Sequence, residues 1–316
     1  MRGKLTAKSS AKSLARAQSA LPSTLKKSSR KDEPRSVGIL HRPNSPMAVK
    51  KAAEVTRWLK DRGHSVYAAP GQKISRDIPA LDSKKMSQLD LMLVLGGDGT
   101  YLGAVRLIGE RSIPVFGVNM GSLGFLTDTR VEDLFPRLQA ALEDRLQPQM
   151  RSLLSVEVRR GRNRLSHQIA LNDAVVERGS ITHLINIDLH SENHLVGSIK
   201  ADALVIATPT GSTAYNLAAG GPILHPEARS IVVTPVCPHA LTSRPLIFPD
   251  HQSLRLKVQK SHHKAILTVD GVRCGELTDR DEVCITRHAV DHVALRDPDF
   301  NFFSLLREKL KFGERA

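Results

Sequence analysis

The stretch that decides the fold runs from Leu93 to Thr100 and reads LVLGGDGT. An apolar run, typical of a buried parallel strand, ends at three glycines that surround one aspartate. Parallel α/β sheets bind ligands beyond the carboxyl ends of their strands. Glycines let backbone N–H groups approach a phosphate, and the helix predicted from Thr100 offers a positive N-terminus. The pattern predicts a phosphate site formed by Gly96, Gly97, Gly99 and Thr100.

Asp98 is the unusual member of this stretch, because a carboxylate repels phosphate. Its chemistry suits a group that accepts a proton from an attacking hydroxyl, or one that helps to hold Mg²⁺. The alternative is a Gly-Asp turn that only joins a strand to a helix. The stretch differs from a Walker loop because no G-K-[ST] follows it.

The residues around this stretch predict alternating strands and helices. We expect strands at 36–40, 64–68, 90–95 and 113–118, and helices that begin at Pro46 and Thr100. Ser45 is the expected N-cap of the first helix. A third amphipathic helix is expected over 131–145. This alternation is typical of a doubly wound, Rossmann-like α/β domain, which we place at 35–148.

A change of pattern after Pro148 indicates a second domain. Apolar and polar residues alternate with a period of two within 151–295, as in 153–158, 184–189 and 254–258, and we place the domain at 149–296. We therefore expect a β-rich, sandwich-like domain there, and a C-terminal helix within 297–316 that packs back on the body. The predicted fold class is α/β plus all-β.

Composition limits the partners. The chain has 316 residues and a net charge of +14, but residues 1–31 hold nine Lys or Arg and no acid, which leaves +5 for the remainder. We interpret residues 1–34 as a basic, low-complexity, disordered tail; a transit peptide and a weak anion-binding arm are the alternatives. The tail has no interleaved aromatic residues, and the chain has no run of 18 apolar residues. We therefore expect neither nucleic acid nor membrane as a partner.

Three cysteines without a C-x-x-C pattern indicate a reducing, cytoplasmic setting.

Two further polar segments interrupt the β-rich half. Residues 207–216 read ATPTGSTAYN, and their hydroxyls, glycine and Tyr215 suit contacts with ribose, amide and phosphate groups. Asn172 and Asp173 stand together in an otherwise β-forming run, and together they suit two vicinal ribose hydroxyls. A turn with a capped helix is the structural alternative for the first segment, and a bulge or an Asx turn for the second.

In this order, the motifs strongly resemble those of the NAD kinase family. The resemblance rests on GGDGT at 96–100, NMGSLGFL at 119–126, NDAV at 172–175, TPTGSTAY at 208–215 and SRPL at 243–246, and it covers about residues 36–310. It implies transfer of the γ-phosphoryl group of ATP to the 2′-hydroxyl of the adenosine ribose of NAD, which makes NADP. It also implies an active site between the α/β and β-rich domains, Mg²⁺ with ATP as the cofactor, and a homodimer or homotetramer.

The resemblance assigns roles to individual residues. Asp98 resembles the family's proton acceptor and, with Gly99, a contact to NAD; Asn172 and Asp173 match the pair that holds the ribose hydroxyls, although the family usually has Glu at the second place. The remaining expected NAD contacts are His183, Lys200, Asp202, Thr213, Ala214, Tyr215, Asn216 and Ala218, of which the last two stand where Ser is common. No residue is assigned as a ligand of a resident metal.

Two other functions stay open at this point. A lipid kinase of the GGDGT type would need an apolar groove for an acyl chain, and the polar loop at 208–216 argues against one. A non-catalytic sensor that binds NAD(H) would keep the same site without turnover; the intact Asp98, Asn172 and Asp173 argue against a decayed site.

Overall fold

The computed structural model describes residues 33–180, 182–260 and 264–311. The tail predicted over 1–34 therefore lies outside the described residues, apart from its last two. The six helices of the described part are α1 Pro46–Lys60, α2 Ser83–Met86, α3 Asp98–Ile108, α4 Leu134–Leu142, α5 Tyr215–Ala218 and α6 Phe302–Leu310. Short 3-10 turns cover Val131–Asp133 and Gly211–Thr213.

The first sheet is mostly parallel and carries the glycine-rich stretch. Its strands are β1 Ser36–His41, β2 Ser65–Ala68, β3 Leu91–Leu95, β4 Val115–Asn119, β5 Thr129–Arg130, β6 Gln147–Arg151 and β19 His292–Arg296. They are ordered β2-β1-β3-β4-β19-β6, with β5 beside β4, and only the β19–β6 pair is antiparallel. Every residue of β3 and β4 is buried, because helices cover both faces of the sheet.

The β-rich half consists of two antiparallel sheets. One is ordered β11-β10-β15-β18-β7-β8, from β7 Leu154–Arg160, β8 Asn163–Ala170, β10 Ile185–Ser191, β11 His194–Ala201, β15 Leu254–Val258 and β18 Asp281–Arg287. The other is ordered β14-β13-β12-β9-β16-β17, from β9 Asp173–Arg178, β12 Ala203–Ala207, β13 Ser230–Val236, β14 Leu246–Pro249, β16 Ala265–Val269 and β17 Val272–Leu277. One buried apolar cluster contains side chains of both sheets, so they pack face to face as a sandwich. The expected α/β plus β-rich fold class is confirmed.

The chain crosses between the two halves more than once. β6 spans the expected boundary at 148/149, and β19 returns from the sandwich to pair in parallel with β4 and antiparallel with β6. Residues of the last strand therefore lie inside the first sheet, and His292 of β19 bonds Tyr101 of α3, the helix that begins in the glycine-rich stretch. The C-terminal helix α6 follows directly and buries Phe302, Leu305 and Leu306.

Two helices differ from their predicted limits. α3 begins at Asp98 rather than Thr100, because the extended Gly97 serves as its N-cap and places the aspartate in the first turn, where the helix dipole favours an acid. The helix predicted over 131–145 is a 3-10 turn followed by α4. Pro136 lacks an N–H and is tolerated only in a first helical turn, so the regular helix begins at Leu134. Ser45 caps α1 as predicted, accepting a bond from the Ala48 N–H.

Candidate functional site: two polar loops around Asp98

The carboxylate of Asp98 is held by the backbone of the segment that follows β4. Its Oδ2 accepts one hydrogen bond, from the Phe125 N–H at 2.9 Å. Its Oδ1 accepts three, from the N–H groups of Leu126 at 3.0 Å and Thr127 at 3.1 Å and from the Thr127 hydroxyl at 3.2 Å. A carboxylate offers about four lone-pair sites. Oδ1 is therefore crowded with donors, and Oδ2 is the oxygen with capacity left for a ligand.

The same segment is fitted closely around this carboxylate. A Cβ added at Gly124 would lie 2.0 Å from Asp98 Oδ1 and 2.8 Å from Thr127 Oγ1, so only glycine fits there. Asn119, at the end of β4, donates from Nδ2 to Thr127 Oγ1 at 2.9 Å and accepts from the Gly121 N–H at 2.6 Å. The run NMGSLGFL thus forms a cradle that fixes the direction of the Asp98 side chain.

The glycine-rich loop itself has one closed side and one open side. A Cβ at Gly96 would lie 2.3 Å from Thr100 Oγ1, which explains the first glycine by close packing. At Gly97 and Gly99 no described atom would lie within 4 Å of an added Cβ, and Gly99 is exposed. The space beside both glycines is compatible with the phosphate site at 96–100, which stays a prediction.

The Asn172–Asp173 pair is shaped by a residue that sequence reasoning missed, Asp270. The Asp270 carboxylate accepts hydrogen bonds from three consecutive N–H groups, those of Leu171 at 2.8 Å, Asn172 at 2.8 Å and Asp173 at 3.1 Å. Asp270 and Gly271 form a two-residue hairpin turn with φ of 45° and 74°. Asp-Gly is the usual sequence of such a turn, so the dipeptide alone gave no sign of this second role.

Burial raises the pKa of Asp173 to about 7, and the negative charge of Asp270 raises it as well. Asp173 is 5% exposed and begins β9. Burial also raises the pKa of Asp270, while the three backbone donors oppose that rise. The two neighbouring carboxyl groups resist simultaneous ionisation.

The loop at 208–216 packs directly on this pair. Thr208 bonds the backbone of this pair: its N–H donates to Asn172 O at 2.9 Å, and its hydroxyl donates to Leu171 O at 2.5 Å. A Cβ at Gly211 would lie 2.1 Å from Asn172 O. Asn216 is fully buried; its amide donates to Ser212 O and Pro222 O and accepts from the Thr234 hydroxyl. Its side chain therefore holds the loop and is not accessible to a ligand in this conformation.

The other predicted contacts are distributed around the same loop. Tyr215 is 44% exposed, and burial together with the negative charges of Glu177, Asp173 and Asp202 raises the pKa of its hydroxyl. Thr213 and Ala214 are half-buried beside it, and Ala218 is exposed. Asp202, one of the predicted NAD contacts, forms an ion pair with Arg178 at 3.0 Å. Lys200 and His183 are exposed, and His183 Nδ1 shares a 2.7 Å hydrogen bond with Thr182.

Helix α3 brings the two halves of the site together. Leu126, from the Asp98 cradle, and Leu171, from the Asn172 loop, lie in one buried cluster with Tyr101, Val105 and other α3 residues. Within the described residues, no group of three or more His, Cys, Asp or Glu side chains is arranged to hold a metal ion, and no helix is long and apolar enough to cross a membrane. The arrangement is that of a nucleotide-binding protein with an acidic group beside a glycine-rich loop.

Comparison with known proteins identifies the family to which this chain belongs. The model of the ATP-NAD kinase N-terminal domain matches residues 37–146, and that of the C-terminal domain matches residues 171–294. The NAD kinase of Bdellovibrio bacteriovorus is 48% identical over 282 residues, covering 89% of this chain and 93% of the relative; that of Solibacter usitatus is 40% identical over 285 residues, covering 89% and 99%. The chain belongs to the ATP-NAD kinase family, which confirms the resemblance.

Solved structures agree on the fold. Yeast NADH kinase complexed with NADH superposes with a TM-score of 0.81 at 25% identity, covering 90% of this chain and 89% of the other. An NAD kinase from Archaeoglobus fulgidus in complex with ATP superposes with a TM-score of 0.69, covering 86% of this chain and 98% of the other. Its identity of 22% supports similarity of fold alone.

Proposed function

We propose that this chain is an ATP-dependent NAD kinase in which Asp98 receives the proton of the acceptor hydroxyl. The observation that carries the proposal is the asymmetry of the Asp98 carboxylate: three donors occupy Oδ1 and one occupies Oδ2. A side chain held in this way presents one oxygen, in a fixed direction, beside a glycine loop whose backbone is open to phosphate. Membership of the ATP-NAD kinase family supports the same chemistry.

In the proposed reaction, the 2′-hydroxyl oxygen of the adenosine ribose bonds to the γ-phosphorus of ATP. The bond from that phosphorus to the β–γ bridging oxygen breaks, ADP leaves with the electron pair, and the hydroxyl proton passes to Asp98 Oδ2. An aspartate is a weak base near neutral pH, so most of the acceleration comes from positioning and electrostatics, and the proton leaves late. No covalent intermediate with the protein is involved.

The acceptor is held, in this proposal, by the loops of the sandwich. Asn172 and Asp173 take the ribose hydroxyls, while Thr213, Ala214 and Tyr215 contact the nicotinamide-side ribose and the amide. Support comes from the packing of these loops on each other: Thr208 and Gly211 both contact the backbone of Asn172. A loop fixed by its own hydrogen bonds needs little ordering on binding.

A cavity of about 530 Å³ beside the Asp98 cradle is the proposed place for the donor nucleotide. It is lined by Met47, Asn119, Met120, Gly121, Leu123, Arg130, Val131, Glu132 and Glu308. Its size suits a nucleotide, and it lies at the carboxyl end of β4, the edge of a parallel sheet where ligands bind. Arg130 is the cation at its wall and pairs with Glu308 of α6 at 2.9 Å.

The divalent cation enters this scheme with ATP. Mg²⁺ binds substrate phosphates, water and one or two protein carboxylates, and Glu132 supplies a carboxylate to the lining of the proposed donor cavity. The residues present therefore fit a cation that arrives with the donor, and its chemistry is to neutralise charge on the phosphates. We also propose a cytoplasmic enzyme that assembles as a homodimer or homotetramer, in keeping with the family.

The test is NADP formation from NAD and Mg·ATP by the purified full chain and by Asp98→Asn. The matched control is Asp279→Asn, which changes an exposed acid in the turn before β18. We expect product from the wild type and the control, and a loss of several orders of magnitude in kcat for Asp98→Asn. If the wild type and Asp98→Asn form NADP at similar rates, Asp98 has only a positioning role. A folded wild type that binds NAD without turnover would favour the sensor, and turnover with diacylglycerol or sphingosine instead would favour the lipid kinase.

A further inference from the structure

Arg296, the last residue of β19, is a buried cation inside the first sheet. Its side chain is 1% exposed and pairs through Nη1 with Asp128. Nη2 donates to the carbonyl oxygen of Phe125 at 2.9 Å, and the guanidinium stacks over the Phe300 ring. Burying an arginine is costly unless its hydrogen bonds are satisfied, yet Nε finds no acceptor in the described part of the chain. A residue kept at such a cost calls for a reason other than stability.

The reason lies in what the Phe125 carbonyl is bonded to. Its peptide group continues into the Leu126 N–H, which donates to Asp98 Oδ1 at 3.0 Å. A single peptide group thus carries one hydrogen bond from Arg296 on its oxygen side and gives one to Asp98 on its nitrogen side. Hydrogen bonds joined in this way polarise one another, so the cation strengthens the donor that Asp98 receives.

The same arginine also fixes both ends of the segment 125–128, which supplies the donors to Asp98. Phe125 and Thr127 donate to the carboxylate, and Asp128 follows them directly and is tied to Arg296. The segment 125–128 is therefore clamped between Asp98 in α3 and Arg296 in β19. Without the clamp, its three N–H groups could turn away from Asp98 together.

The surroundings of Arg296 leave its charge directed at this segment. Its other charged or titratable neighbours are Arg151, Tyr101 and His292. Burial lowers the pKa of His292 to about 3, so its ring is neutral and shares a 2.8 Å hydrogen bond with the Tyr101 hydroxyl. Asp128 is the acid that balances Arg296, and the peptide between Phe125 and Leu126 is the polar path from the guanidinium to Asp98.

We propose that Arg296 is a positioning residue for phosphoryl transfer, which acts on Asp98 through the peptide group between Phe125 and Leu126. It keeps Oδ1 saturated with donors, so that Oδ2 alone faces the acceptor hydroxyl. This inference rests on the proposed role of Asp98 as the proton acceptor.

The test compares Arg296→Lys and Arg296→Gln with the wild type. Lysine keeps the charge but reaches only one of the two acceptors, Phe125 O or the Asp128 carboxylate. Glutamine keeps neither the charge nor the paired N–H donors of the guanidinium. We expect kcat to fall by about 10- to 100-fold in Arg296→Gln, with a smaller loss in Arg296→Lys, and a KM for NAD within about twofold of the wild type. The acidic limb of the pH–rate profile should move to higher pH in Arg296→Gln. Arg137→Gln is the control, because Arg137 pairs with the neighbouring Asp297 at the surface.

A double-mutant cycle with Asp98→Asn separates the two proposals. If Arg296 acts through Asp98, Arg296→Gln costs little more once Asp98 is Asn. Full activity of Asp98→Asn would remove the proposed base, whereas additive losses in the cycle would overturn the Arg296 inference alone. Unchanged kcat, or kcat and NAD affinity falling together with thermal stability, would also overturn it. If Arg296→Gln does not fold, the same cycle is run with Arg296→Lys.

Discussion

Asp173 and Asp270 exchange two hydrogen bonds, one between backbone groups and one to the Asp270 carboxylate, and both side chains are buried. The Asp270 N–H donates to Asp173 O at 2.9 Å, and the Asp173 N–H donates to Asp270 Oδ1 at 3.1 Å. Three backbone donors stabilise the charge on Asp270, whereas Asp173 combines burial with a like-charged neighbour. Asp173 is therefore the member of the pair that changes its charge near neutral pH.

If Asp173 holds a ribose hydroxyl as proposed, NAD binding should strengthen as pH rises through about 7, because an ionised carboxylate is the better hydrogen-bond acceptor. From pH 6 to pH 8 the ionised fraction of such a group rises about tenfold, so we expect the Kd for NAD to fall by about that factor. Calorimetry without ATP excludes the titration of the ATP phosphates. Asp173→Asn should bind NAD more weakly and with little dependence on pH over this interval. A pH slope that persists in Asp173→Asn would assign it to another group, such as Asp270.

The same carboxyl should make the stability of the protein depend on pH. The pKa of Asp173 is raised on folding, so its contribution is fully present below the unfolded value near 3.8 and is lost as pH rises through about 7. We therefore expect Asp173→Asn to be more stable than the wild type at pH 8.5, with a smaller difference at pH 6. Thermal unfolding at both values measures this, with the exposed-site variant Asp279→Asn as the control. An equal Tm difference at both values would contradict the assignment.

Gly124→Ala should lower kcat without unfolding the protein. The new methyl group would lie 2.0 Å from Asp98 Oδ1, so the carboxylate or the cradle must move. Displacement of about 1 Å at a reacting group can cost about 100-fold in rate. Gly103→Ala is the matched control, because Gly103 lies in the same helix as Asp98 and an added Cβ meets nothing within 4 Å. It should keep kcat and gain about 0.5–1 kcal/mol of stability. A fully active Gly124→Ala would show that Asp98 needs no fixed direction.

Much of the fold was predictable from sequence because it rests on local patterns. The buried run before Gly96 and the Ser45-Pro46 helix start are both signals within a few residues, and both agree with the structure. The return of β19 to the first sheet is a pairing between strands that are far apart in the sequence, and no local pattern encodes it.

The motif residues of the site were also predictable, because they interrupt a strand or helix pattern locally. The residues that hold those motifs in place, Asp270 and Arg296, were not. Asp270 lies in a hairpin turn that its Asp-Gly sequence explains fully, and Arg296 lies in a strand of ordinary composition. Both act through the backbone of a distant segment. Asn216 shows the reverse case, in which a residue within a motif has all its polar atoms bonded to the protein and serves packing.

Arg130→Ala should raise the KM for Mg·ATP by several-fold while leaving the KM for NAD close to that of the wild type. Arg130 is the cation on the wall of the proposed donor cavity, and its pair with Glu308 lies at the surface. Because exposed ion pairs contribute little to stability, its loss should not unfold the protein. Glu308→Gln should have the opposite effect and lower the KM for Mg·ATP, since it releases Arg130 to the phosphates. Arg137→Ala, which breaks another surface pair in the same region, serves as the control. Equal rises in both KM values, or none in either, would move the donor away from this cavity and toward the open face of Gly97 and Gly99.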